Sequence, residues 1–347
     1  MSGITITADS GTEFTANAAE WNSVCRLDDN NYVVAYRDNN DGNKGKVNVG
    51  SRTGTSVSVN EANAVVFNND ATDLITVRAL SATKIVISYR DVNSGKGYVI
   101  CATISGSTIT LGTAVTDGVS QINGLSVAVL NDSNFVYARF YSTCFYFVCS
   151  VSGTTITMGS YQQGATCSNG SSVGLDGTHF VSVYRNSGIK AQAGTVNIAN
   201  KTITFGSETG LVGSAYSYEN YPVIDKFDSQ HFVIAVRDEQ YDFVIKVVAA
   251  SINLTTLAIT GGNALSTSPS DFSKSNFSIC AITAYNFILS YYTTTGTQAE
   301  LLAGTLTGSA TLAWDAQGAV VFDNGTCAYT ALCRLTDSYF IVGYKSG

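Results

Sequence analysis

Short stretches that are apolar at nearly every position recur along the chain, and each ends in a polar or charged corner. They are Tyr32–Asp38 (YVVAYRD), Ile85–Asp91 (IVISYRD), Phe135–Tyr141 (FVYARFY), Phe180–Asn186 (FVSVYRN), Phe232–Asp238 (FVIAVRD), Phe287–Thr293 (FILSYYT) and Phe340–Ser346 (FIVGYKS). Successive copies begin 53, 50, 45, 52, 55 and 53 residues apart. A fixed period near fifty marks a repeat architecture. A short apolar run bounded by turn residues is a strand buried on both faces.

The residues around each copy supply the rest of a meander. In the second copy Leu74–Leu80 is a first strand, Ser81–Lys84 a polar turn and Ile85–Arg90 a second strand. Asp91–Lys96 is a loop, Tyr98–Ile104 a third strand and Thr108–Leu111 a fourth. The fourth-strand phrase returns at Thr155–Met158, Thr202–Phe205, Thr256–Ile259 and Thr311–Trp314. Such strands, joined by Gly-bearing turns, pair antiparallel. Small residues at the fourth position of the second strand (Ala35, Ser88, Ala138, Ala235, Ser290, Gly343) imply close packing there. The pattern predicts an all-β chain, a single seven-bladed β-propeller of four-stranded antiparallel blades.

Residues 1–347 read as one domain. Ile4–Ile6 lies where a fourth strand would, and the last copy stops after a second strand. The closing blade is therefore expected to be shared by residues 1–10 and 327–347, closed by pairing of the N- and C-terminal strands. It should have three strands, with an irregular pairing or an edge open to a partner.

Composition narrows the function. There are 19 Lys and Arg against 26 Asp and Glu, for a net charge of −7. Spread along the chain, these cations make no phosphate-binding surface, so no nucleic-acid partner is expected. No run is long enough for a membrane span. Met1–Thr5 lacks a basic start followed by an apolar stretch, so no signal peptide is expected. The eight cysteines show no CxxC spacing, and Cys25, Cys280 and Cys333 share a repeat position filled elsewhere by Arg78, Ala128, Val173 and Asp225. A position that accepts Ala and Val is a packing position, so free thiols are expected.

The phrases ending Tyr36-Arg37-Asp38 and Tyr89-Arg90-Asp91, with Val151–Thr157 (VSGTTIT) and Thr202–Gly206 (TITFG), resemble repeats of bacteriophage tail and virion proteins and of large bacterial surface proteins. The resemblance spans nearly the whole chain and implies a virion-associated recognition or attachment module, as in a tail fibre. It carries no catalytic residue.

Repeated residues usually serve architecture, so candidate chemistry lies where the repeat breaks. The fifth copy breaks it twice, at Tyr216, Tyr218, Glu219 and Tyr221 in the entering link and at Asp238, Glu239, Gln240, Tyr241 and Asp242 in the inner loop. Aromatic rings beside acids and amides suit sugar binding; the alternative is a solvated loop. A second candidate is a ring of charge from Arg37, Asp38, Arg90, Asp91, Arg185 and Arg237, against the alternative that Asp caps the loop and Arg bridges neighbours. The aromatic run Phe140–Phe147 is either a docking patch or packing. Asp38–Gly42 and Asp91–Gly95 lack the distal Glu of a calcium loop, and no cofactor or metal is expected. His179 and His231 sit in turns, with no triad or zinc spacing around them.

The sequence therefore points to a non-enzymatic module binding a host surface glycan or, through its incomplete closing blade, another virion protein. The alternatives are a glycan-cleaving hydrolase using Asp238 with Glu239 or Asp242, and a purely structural assembly protein.

Overall fold

The computed structural model describes residues 5–9, 11–213, 221–238, 244–267, 277–293, 298–325 and 327–346. Among these the only helix is the 3₁₀ turn Glu61–Asn63. Everything else regular is antiparallel strand.

Each repeat forms one group. Its first, inner strand is Ala19–Arg26, Val65–Ser81, Gly124–Asn131, Gly170–Gly174, Val223–Lys226, Ser278–Ala281 or Cys327–Thr336. Each pairs with the apolar second strand that follows, Asn31–Asp38 in the first group and Tyr339–Ser346 in the last. In the first six groups a third strand pairs with the second, and an outer strand with the third. The second strands of the first six groups are buried on both faces: Val33, Ala35, Tyr36, Ile85, Val86 and Ile87 are wholly sealed.

Apolar clusters fill the junctions between consecutive groups. One joins Val33 and Val47 to Val77 and Ile87, the next Val86 and Val99 to Val127 and Tyr137. Another joins Val24, Val34 and Tyr36 to Ala331, Leu335 and Ile341, so the last pair of strands packs on the first group. The inner strands touch in succession, including Cys327–Thr336 against Ala19–Arg26. Serines stitch several of these neighbours. The Val77 amide donates to Ser23 Oγ at 3.0 Å, the Ser172 amide to Ser126 Oγ at 2.9 Å and the Leu332 amide to Ser278 Oγ at 3.1 Å.

The repeated aromatic residue faces a small partner on the third strand. Tyr32 pairs with Gly50, Phe180 with Gly194 and Phe287 with Gly304. A Cβ at any of the three would fall within about 2.5 Å of the ring. The ring lies over its glycine and packs where a side chain would stand.

Three expectations need correction. The outer strand is often built in two pieces: after Thr108–Leu111, Val115–Thr116 returns to the same third strand. In the first group the second piece is the start of Val65–Ser81, which pairs with Lys44–Val47 before entering the second group, so the two groups share one sheet. Thr256–Ala258 is turn rather than strand. The Asn253 side chain accepts from the Thr255 and Thr256 amides, and the strand begins at Ile259.

The last sheet has two strands among the described residues, where three were expected. Residues 5–9 join no ladder. Instead Gln317 binds Ile6 through both its amide atoms, at 2.6 and 2.8 Å, and holds the buried Ile6 side chain against Leu332 and Val342. Ile4 lies outside the described residues.

Candidate functional site

One cavity of about 420 Å³ is lined by residues from all seven groups. Its walls come from the beginnings of the inner strands, or the residues just before them: Trp21 and Asn22, Leu74–Thr76, Gly124 and Leu125, Gly170 and Ser171, Tyr221–Val223, Phe277, and Tyr329 and Thr330. This is the end of each inner strand that pairs with the Arg-Asp end of the second strand, Glu20 opposite Arg37 and Asp73 opposite Arg90.

Three inner strands share a local distortion here. Between Glu20 and Ser23, Asp73 and Thr76, and Ala328 and Ala331, the strand carries one residue more than its partner. The extra residue makes a β-bulge, which re-aims side chains and breaks the ladder locally. Each bulge holds a large residue in the left-handed region: Trp21 at φ 54°, Leu74 at 50° and Tyr329 at 55°. Bulky side chains there cost about 1–3 kcal/mol each, and such strain concentrates at functional sites. Trp21 and Tyr329 meet with ring centroids 5.6 Å apart.

The bulge also places Asn22 off the ladder. Its amide oxygen and nitrogen are both sealed from solvent, and neither has a hydrogen-bond partner among the described residues. Buried polar groups are nearly always bonded, so this is the exceptional group of the wall. Among the described residues the lining carries no Asp, Glu, Lys, Arg or His. It is aromatic, aliphatic and uncharged polar.

The charged corners are engaged just outside it. Arg90 grips Asp73 with two bonds of 2.7 and 2.5 Å and reaches the Ile122 carbonyl of the next group at 3.1 Å. The Asp73 carboxylate is the main cause that raises the Arg90 pKa. Arg37 pairs with Glu20 and bonds Asn39 at 2.8 Å. Burial pushes the Glu20 carboxyl up, but bonds from Lys345 and Asn39 and the charge of Arg37 outweigh it, and the group sits below its ordinary value. Asp38 is fully buried and accepts from the Asn40 and Asp41 amides, while Asp91 accepts from the Ser94 amide at 2.7 Å. These acids cap their loops and the arginines bridge strands, which is the architectural alternative rather than an open ring of charge. Lys46 lies between Asp38 and Asp41 at 2.8 and 2.9 Å, so an ammonium neutralises the first Asp-rich loop. No cluster of metal-ligating residues occurs among the described residues.

Of the fifth-copy candidates, Tyr221 is on the cavity wall. Asp238 is buried at 3% exposure and paired with Lys246. Tyr216, Tyr218, Glu219, Glu239, Gln240, Tyr241 and Asp242 lie outside the described residues. Arg185 borders a second groove of about 440 Å³ between the third and fourth groups, and Arg237 stands opposite Ile245 in its sheet. In the aromatic third copy, Phe140 and Tyr146 are wholly buried and Arg139 lies 4.4 Å over the Phe145 ring, so that run is mainly packing. His179 and His231, expected in turns, are instead the first residues of their second strands, each ring nitrogen 2.9 Å from Asp176 or Asp228.

The residues missed by sequence are Trp21, Asn22, Leu74 and Tyr329.

No protein-family model matches the chain, and no curated protein is similar to it. Solved structures are similar in fold. A candidate 6-phosphogluconolactonase from Bacteroides uniformis has a TM-score of 0.63 at 11% identity, covering 93% of this chain and 87% of that one. SapL1 lectin in complex with alpha methyl fucoside has a TM-score of 0.55 at 12% identity, covering 89% and 97%. Aleuria aurantia lectin in complex with Fucalpha1-6GlcNAc has 0.52 at 10%, covering 88% and 97%. These neighbours are propeller-like, and this chain has a propeller-like all-β fold.

Proposed function

We propose that the chain is a non-catalytic glycan-recognition module, a seven-bladed propeller whose binding face carries the axial cavity. The observation that carries this is the cavity wall: rings from Trp21, Tyr221 and Tyr329 beside the uncharged hydrogen-bonding groups of Thr76, Ser171 and Thr330. Rings stack on the apolar faces of sugars while amides and hydroxyls meet their hydroxyl groups. Contacts between successive inner strands, and the packing of Cys327–Thr336 on Ala19–Arg26, support seven blades and a closed ring. The two lectins of similar fold are bound to fucose-containing ligands, which is consistent with this use of the architecture.

Hydrolysis of a glycosidic bond needs two carboxyl groups about 5–10 Å apart. Among the described residues the cavity lining contains no acid, and Asp238, the described member of the sequence-suggested pair, is held by Lys246. Both points favour binding over turnover. The virion setting is proposed from the repeat's resemblance alone.

The test is a glycan array followed by calorimetric titration and a sugar-release assay on the same ligands. Saturable binding without release supports the proposal. Turnover would replace it with the hydrolase, and a blank array with co-purification on virion particles would replace it with the assembly protein.

A further inference from the structure

We infer that Arg78 is an anion-binding group on the axis beneath the cavity, where it takes the carboxylate of an acidic sugar whose ring stands against the cavity wall. This rests on the glycan-binding reading and adds the charge class of its ligand.

The repeat position that holds Cys25, Cys280 and Cys333 holds Arg78 in the second group and Asp225 in the fifth. Both charged residues lie two places further along their inner strands than a residue of the cavity wall, Thr76 and Val223. The register runs unbroken from Thr76 to Arg78 and from Val223 to Asp225. Strand residues two apart share a face, so Arg78 and Asp225 follow the wall inward. The charge of Arg78 acts on Cys25 in the first group, on Asp225 in the fifth and on Cys333 in the seventh. A side chain of the second group reaches three such strands only from the axis between them.

Arg78 is half-buried, and its one hydrogen bond among the described residues runs from Nη1 to the Val77 carbonyl at 2.9 Å. Arg26, Arg37, Arg90, Arg139 and Arg334 each meet a carboxylate. Arg78 meets none among the described residues. The Nε atoms of Arg52 and Arg334 are sealed from solvent, whereas Nε and Nη2 of Arg78 are not. A guanidinium carries five N–H donors and matches a carboxylate with two parallel bonds. Asp225, the other axial charge, is already engaged: its carboxylate accepts the Ala281 amide at 2.9 Å and the Lys226 amide at 2.8 Å. Burial pushes that carboxyl above its ordinary value, against the pull of these amides and of Arg78. The axial cation is thus left with one neutral carbonyl, and a cation drawn partly out of water is costly without a counter-charge.

Above it stand the Trp21, Tyr221 and Tyr329 rings and the hydroxyls of Thr76, Ser171 and Thr330. A sugar ring held there directs one substituent along the axis, and a carboxylate on that substituent meets the guanidinium. The net charge of −7 gives the chain no general attraction for anions, so the preference belongs to this one residue.

The experiment uses the full chain, with Arg78→Gln and Arg78→Lys. Calorimetric titration compares methyl glucuronide with methyl glucoside, which differ only in the carboxylate, and adds N-acetylneuraminic acid. Melting temperature is measured on the same samples. The expected result is that at least one of the two acidic sugars binds at least tenfold more tightly than methyl glucoside. Arg78→Gln abolishes that preference with an unchanged melting temperature, and Arg78→Lys keeps part of it. Equal or tighter binding of the neutral glycoside by the unmodified chain overturns the inference while the glycan reading stands. An acidic preference that survives in Arg78→Gln overturns the assignment to this residue. A lower melting temperature or failure to fold in Arg78→Gln also overturns it, because Arg78 would then be part of the architecture. If no sugar binds at all, the glycan reading itself fails.

Discussion

Ser23 and Val77 stand in neighbouring groups, and the wholly buried Val77 amide donates to the Ser23 hydroxyl oxygen across 3.0 Å. The same position repeats the bond between Ser126 and Ser172 and between Ser278 and Leu332. The inner strands form no ladder with one another, and a short side chain carries the bond from one group to the next. Ser23→Ala leaves the Val77 N–H buried without a partner, which costs about 1–3 kcal/mol. Urea denaturation should show a lower midpoint with an unchanged slope. An unchanged midpoint would mean the stitch contributes nothing.

Gly304 accepts the Phe287 ring in place of a side chain of its own. An added Cβ would stand 2.3 Å from Phe287 Cζ and 3.1 Å from the Ala313 carbonyl oxygen. Gly304→Ala should therefore destabilise by about 1–3 kcal/mol through overpacking. Adding Phe287→Leu to Gly304→Ala should recover part of that loss, because the two sites are in contact and couple. Gly177→Ala, where nothing lies within 4 Å, is the control and should be near neutral. Equal melting temperatures for Gly304→Ala and Gly177→Ala would contradict the ring-over-glycine arrangement.

Asp176 and Asp228 fix the turns that lead into their second strands, each accepting from the amide of the following His179 or His231. Burial pushes both carboxyls up, but the amide and imidazole bonds outweigh it and hold them below their ordinary value. A depressed folded-state value stabilises above the unfolded pKa near 4, and that stability is lost as pH falls through the folded value. Denaturation midpoints should thus drop between about pH 4 and pH 2. The double substitution Asp176→Asn, Asp228→Asn should flatten that drop. A variant as acid-sensitive as the parent would show that these turns do not supply it.

The second strands and most outer strands were legible because their signals are local: unbroken apolar runs, and Thr-Ile-Thr phrases after Gly-bearing turns. Tyr32, Phe180 and Phe287 were visible as a repeated aromatic position, but their glycine partners on the third strand lie 18, 14 and 17 residues away and only the register joins them. The site was hardly legible. Trp21, Leu74 and Tyr329 are not residues that favour positive φ, so nothing local announces their bulges. Their conformation is imposed by neighbouring strands. Tyr221 was selected for its aromatic company and does reach the cavity, whereas Arg37 and Arg90 were drawn into bonds with Glu20 and Asp73, acids that the repeated phrase does not include.

The last pair of strands packs onto the first group, and the beginnings of the inner strands surround one cavity. Lys345 and Glu20 meet at that junction, with Nζ 3.0 Å from Oε1, although 325 residues separate them. Zero-length carbodiimide cross-linking, followed by peptide mass spectrometry of the monomer band, reads this contact directly. The account predicts an amide bond between Lys345 and Glu20, alongside the local control bond between Lys44 and Asp41. Recovery of the control without any Lys345–Glu20 product would contradict a closed ring.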